Sequence, residues 1–181
     1  TGVMLAALSN GLDAPAYWAI PLVLCVGITV GIFNGLGVVI FGMPAIVVTL
    51  ATNGIMQGLG LLYTGGIPTG RSPPVLVWLF TGRFLGFAPS VWLLIVFVAA
   101  AIIVLHRTTF GRRIFALGNS QRVSLLSGVR VDRTAIGVYA LSGFCSALAG
   151  VMMTGFSIVS FLNMGLDFLL PSIAVVLVGG T

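Results

Sequence analysis

Residues 17–40 read YWAIPLVLCVGITVGIFNGLGVVI, 24 positions without a charged side chain. At 1.5 Å per residue this is about 36 Å of α-helix, enough to cross a hydrocarbon core about 30 Å thick with some tilt. The condition extends outward, because no Asp, Glu, Lys, Arg or His occurs anywhere from 14 to 70. Of all 181 residues only 6% are charged and 59% are hydrophobic, and mean hydropathy is +1.21. A water-soluble domain needs far more charged surface than that, whereas a bilayer accepts apolar surface. The expected fold class is all-α, a polytopic transmembrane helical bundle forming one membrane domain over residues 1–181.

Working outward from this helix, residues 1–8 read as the tail of an earlier one and 10–15, NGLDAP, as a turn. A tight turn at 41–44 leads to a second span at 45–63, which ends in the loop TGGIPTG at 64–70. Residues 71–89 hold Pro73-Pro74, Arg71, Arg83 and the aromatic residues Trp78, Phe80, Phe84 and Phe87. That mixture is expected of a loop or a short surface helix lying at the headgroups. A third span covers about 87–105 and a fourth about 134–159. Residues 169–181 begin apolar but reach Gly179-Gly180 after about ten positions, too few to cross, and read either as a re-entrant piece or as a truncated helix. With Thr1 at one end and an apolar segment cut at Thr181, the expectation is an internal fragment of a larger membrane protein.

Six of the eight arginines, Arg107, Arg112, Arg113, Arg122, Arg130 and Arg133, lie in one island between the third and fourth spans. Basic loops between apolar spans stay on the cytoplasmic side, so 107–133 is expected inside with 41–44, and 71–89 and 161–167 outside. Arg71 and Arg83 are a minor violation of that rule. The net charge of +5 does not point to nucleic acid, because lysine is absent and the basic residues sit between hydrophobic spans. Cys25 and Cys145 lie within apolar segments, where cysteine behaves as a small hydrophobe, and no Cys-x-x-Cys occurs. The lone His106 closes the third span at the interface. No catalytic residue, cofactor or metal site is expected.

Gly27, Gly31 and Gly35 recur every fourth residue on one helix face, with Gly37 close by. Gly54 and Gly58 repeat the device in the second span, and Ser142, Ser146 and Gly150 in the fourth. Such stripes are expected to be packing seams, since small residues let membrane helices approach closely, and close seams also permit helices to slide or rock. Polar side chains inside spans are costlier. Thr49, Asn53 and Gln57 follow one another at intervals of four, with Thr52 beside them and Asn34 on the preceding span. Asn34, Thr49, Asn53 and Gln57 are the candidates for lining a substrate path; the competing reading is hydrogen-bonding glue between helices. Amides and hydroxyls suit the hydroxyl groups of a neutral sugar. An ion pathway or proton relay would want Asp, Glu, Lys or His at membrane depth, and these spans have none.

The island's run FGRRIFALGNSQRVSLLSG at 110–128, followed by VRVDR, resembles the cytoplasmic loop of ribose-type sugar permeases of ABC importers. VTLATNGIMQGL at 48–59 with TGGIPTG at 64–70, VYALSG and ALAGV within 138–151, and FLLPSIAVVLVGGT at 168–181 agree with the same family in order and spacing. The resemblance covers nearly the whole chain, although the GIDLSVG segment usual in the family before this point is absent. It implies one permease subunit of a bacterial inner-membrane importer, paired with a second permease subunit, identical or different. A cytoplasmic ABC ATPase would power it, and a periplasmic binding protein would deliver the sugar. The permease itself would not be an enzyme. The island would hold the coupling helix that docks on the ATPase, through Arg112, Arg113, Ala116, Leu117, Gly118, Asn119 and Arg122. Asp132 is expected to cap the helix starting at Thr134. Branched-chain amino-acid permeases share the general scheme and form the alternative, with a secondary transporter further removed.

Overall fold

The computed structural model describes residues 2–9, 13–65, 72–82, 88–119, 125, 128, 130–157 and 165–179. Its helices are α1 (Gly2–Ser9), α2 (Asp13–Phe41), α3 (Ala45–Thr64), α4 (Pro74–Thr81), α5 (Pro89–Arg107), α6 (Thr109–Asn119), α7 (Val131–Ser157) and α8 (Leu169–Val178), the last preceded by a 3-10 turn at Leu166–Phe168. Among the described residues there is no strand. Among the described residues four helices are long and apolar enough to cross a membrane: Tyr17–Phe41 within α2, then α3, α5 and α7. The chain is an all-α, multi-pass membrane protein.

The boundaries follow from local chemistry. α2 starts at Asp13, inside the segment read from sequence as a turn, because Pro15 falls in the first helical turn, where its missing N–H has no helical partner to lose. The turn into α3 is made by Gly42 at φ +62°, a left-handed conformation that costs glycine little. α3 ends on Gly65, also left-handed, whose N–H donates to the Leu61 carbonyl at 2.8 Å. α7 begins at Val131, three residues before the expected Thr134. The Thr134 N–H and hydroxyl both donate to the Arg130 carbonyl, and Asp132 is not the cap: it lies in the first turn, exposed, where its charge faces the positive helix end.

Packing is dominated by the antiparallel pair α2 and α7, with α1 and α4 laid against them. Leu5 of α1, Ala19 and Val23 of α2, Leu76 of α4 and Val151 of α7 form the one hydrophobic cluster found among the described residues. The segment read as a loop or short surface helix at 71–89 contains a short helix, with Trp78 exposed and its other side packed into this cluster. α4 is short, but Leu76 and Pro73 are buried, the Phe80 and Phe156 rings meet edge to face at 5.9 Å, and Gly155 of α7 packs on the Leu76 carbonyl. Arg71 and residues 83–87 lie outside the described residues. By contrast α5 touches mainly α4 and α6 and has no buried residue, and most of α3 is exposed. In lipid, exposed apolar side chains carry no hydrophobic penalty, so an open arrangement of this kind is compatible with a bilayer.

The two ends of the bundle differ. Tyr17, Trp18, Tyr63, Trp78 and Trp92 stand at one end, at the start of α2, the end of α3, on α4 and at the start of α5, all of them exposed. Of the six Trp and Tyr residues only Tyr139 is elsewhere, so this end carries an aromatic belt of the kind found at membrane interfaces. The exposed His106, Arg107, Arg112, Arg113, Arg130 and Arg133 gather at the other end.

Candidate functional site

The glycine stripe of α2 meets α7 at backbone contact. A Cβ on Gly27 would strike the Ala147 methyl and come within 2.7 Å of the Gly143 carbonyl oxygen. One on Gly31 would strike the Tyr139 carbonyl, and one on Gly35 would lie 3.0 Å from Ile136 Cα. Reciprocally, a Cβ on Gly143 would meet the Gly27 carbonyl and stand 3.0 Å from Gly31 Cα. The α7 side of this seam is Ile136, Tyr139, Ala140, Gly143 and Ala147, not the stripe expected from sequence: Ser142 and Ser146 are exposed and Gly150 is half-buried. Each residue turns the helix by about 100°, so 143 and 147 occupy a neighbouring face, and small residues line both. Gly54 and Gly58 also depart from expectation: among the described residues nothing lies within 4 Å of either Cβ position, so they make no seam there.

The polar residues divide. Thr52, buried at 5% exposure, donates its hydroxyl to Asn34 Oδ1 at 2.6 Å and so ties α3 to α2. Val48 packs beside it on Gly37. Asn34 is therefore engaged in a helix-to-helix hydrogen bond and does not join the other three candidates. Thr49, Asn53 and Gln57 lie on a different face of α3. Asn53 is exposed and Gln57 half-buried, while the exposed Thr49 turns its hydroxyl back to the Ala45 carbonyl at 2.9 Å. An exposed amide at membrane depth requires either a partner helix or water. The Asn34–Thr52 bond itself should be measurable. In a double-mutant cycle of Asn34→Ala and Thr52→Val, followed by unfolding in detergent, we expect a coupling of about 0.6 kcal/mol, the average for interhelical hydrogen bonds in membranes, whose maximum is about 1.7 kcal/mol. Strict additivity would remove the bond from the account.

At the basic end, a single residue joins α5 to α6. Thr108 Oγ1 accepts from the Gly111 N–H at 3.2 Å, capping the first turn of α6, and donates to the Val104 carbonyl. Gly111 is buried so close to Leu105 that a Cβ would strike its carbonyl, with Leu105 Cα 2.6 Å away. Phe110 reaches α7, its Cε2 standing 2.9 Å from where a Cβ of Gly137 would be. The His106 ring lies 5.9 Å from that of Phe115. α6 is amphipathic: Phe110, Ile114 and Leu117, at helical spacing, are half-buried, whereas Arg112, Arg113, Phe115 and Gly118 are exposed. Of the expected coupling residues, Arg112, Arg113 and Gly118 face outward and Ala116 and Leu117 are half-buried. Asn119 ends the helix, and Arg122 lies outside the described residues. Phe110, Gly111 and Gly137, which fix the helix in place, were not singled out from sequence, although the first two stand at the head of the arginine-rich motif.

This arrangement defines a class: a multi-pass helical protein with a basic amphipathic helix presented between two membrane spans. A family model described as branched-chain amino acid transport system / permease component matches residues 1–181, and the chain belongs to that family. It is 34% identical over 185 residues to the ribose import permease protein RbsC of Haemophilus influenzae, covering 100% of this chain and 57% of that relative. It is 37% identical over 151 residues to the Bacillus subtilis protein of the same name, covering 82% and 47%. The autoinducer 2 import system permease protein LsrC of Klebsiella pneumoniae is 39% identical over 127 residues, covering 70% and 37%. The chain thus spans about half the length of the curated relatives it matches. No solved structure matches it.

Proposed function

We propose that this chain forms part of the permease subunit of an ATP-driven importer for a simple, ribose-like sugar in the bacterial inner membrane. The single observation that carries the reading is the similarity to a ribose import permease along the whole of this chain, loops included. The physical features agree with it. The arginines at one end orient the bundle with α6 in the cytoplasm and α4 outside, and the aromatic belt marks the opposite interface. The exposed face of α6, with Arg112, Arg113, Phe115 and Gly118, combines charge with an aromatic side chain and suits docking on an ATPase subunit. The permease contributes no catalysis of its own; a second permease subunit and a binding protein outside complete the machine.

The family description also names branched-chain amino acids. A neutral sugar fits better, because residues 14–70, 84–105 and 134–157 contain no Asp, Glu, Lys, Arg or His to meet the charged ends of an amino acid. The same lack tells against a transporter driven by protons or ions. In this reading Thr49, Asn53 and Gln57 face the path or the second subunit across the open face of α3. Asn53→Leu and Gln57→Leu should then each lower sugar uptake by about tenfold, the loss of one good hydrogen bond, while the ATPase still co-purifies. Normal uptake in both variants would make the stripe structural and leave the path elsewhere.

A further inference from the structure

We propose that Phe110 is the positioning residue through which α6 moves α7, with Gly137 as its socket. The inference rests on the importer reading for its functional half, and on geometry alone for its mechanical half.

Among the described residues, contacts on two sides hold α6. The corner with α5 cannot hinge freely, because Gly111 is pressed against the Leu105 backbone and Thr108 bonds both to the first turn of α6 and to the last turn of α5. The His106 and Phe115 rings brace the same corner. On the other side, Phe110 lies over Gly137, and it is the missing Cβ that lets the ring settle there. Gly137 follows Ile136 and precedes Tyr139, the residues that press on Gly35 and Gly31 of α2. A displacement of α6 that carries Phe110 therefore reaches α7 where α7 is clasped to α2, and packed backbones transmit it as a rigid shift rather than absorbing it. The ring is the side chain of α6 seated closest on the α7 backbone among the described residues, at the end of α7 nearest the seam.

Phe110 is half-buried, apart from the exposed arginines of α6, so removing it separates transmission from docking. The experiment compares Phe110→Ala, Gly137→Leu and the double variant, which moves the bulk from one side of the contact to the other. Backbone hydrogen exchange of α6 is followed in the purified permease, and ATP-driven uptake of labelled ribose in proteoliposomes holding the assembled importer. Each single variant should speed exchange of the α6 amides by about tenfold or more and lower uptake by a similar factor, with the ATPase still bound. The double variant should recover both to within about threefold of the unmutated protein. Unchanged exchange in the single variants, losses that simply add in the double, or faster exchange with normal uptake would each overturn the proposal. Failure of the importer reading would show differently, as the absence of ATP-driven uptake in the unmutated protein, with the exchange arm still deciding whether the socket holds α6.

Discussion

Gly31→Leu is expected to prevent α2 and α7 from pairing. The new side chain would start where the Tyr139 carbonyl already stands, with Ala140 Cα 3.1 Å away, and neither can rotate aside as a side chain would. Overpacking against movable side chains costs about 1–3 kcal/mol, and a backbone obstacle places this substitution at or above the top of that range. Since this pairing supports the core at Val23 and Val151, the variant should accumulate poorly and unfold early in detergent. Gly54→Leu is the control. Among the described residues nothing lies within 4 Å of its Cβ position, so the isolated chain should not be destabilised. Equal unfolding midpoints for the two variants would refute the seam.

The second large effect concerns docking. Arg112→Glu combined with Arg113→Glu reverses two exposed charges on α6 without touching its half-buried side, so the permease should fold normally. Where the proposed docking sets these arginines against carboxylates of the ATPase, the reversal brings like charges together at a cost of several kcal/mol, which predicts a loss of ATP-driven uptake of about 100-fold or more, with sugar-stimulated ATP hydrolysis falling alongside. Charges at Ala116 and Leu117 would make a poorer test: both are half-buried, and a defect there would mix loss of docking with loss of helix packing. Uptake that survives the double reversal would return the island to a signal of orientation alone.

The spans were legible because a bilayer imposes one dominant rule, long runs without charge, and residues 17–40 obey it without exception. Helix ends were less so. Pro15 reads as a breaker in sequence yet fits the first turn of α2, and Asp132 looks like a cap although the helix has already begun one residue before it. For α4 a short helix was readable, but not the packing of its inner side, because the burial of Leu76 depends on α1, α2 and α7 being in place. The Gly27, Gly31 and Gly35 stripe could be read in advance since glycine at that spacing leaves few alternatives. On α7, small residues on adjacent faces could not be ranked without the partner. The same holds for Asn34: its type announces a hydrogen bond, but only the approach of α3 shows that Thr52 supplies it.

The most direct test of the central claim is uptake of labelled ribose into proteoliposomes containing the permease with the proposed ATPase and binding protein, with ATP supplied or withheld on the ATPase side. The expected result is uptake that requires ATP and the binding protein together and stops when either is removed. Uptake that continues at the same rate with ATP withheld would contradict the account and mark a transporter that works without an ATPase.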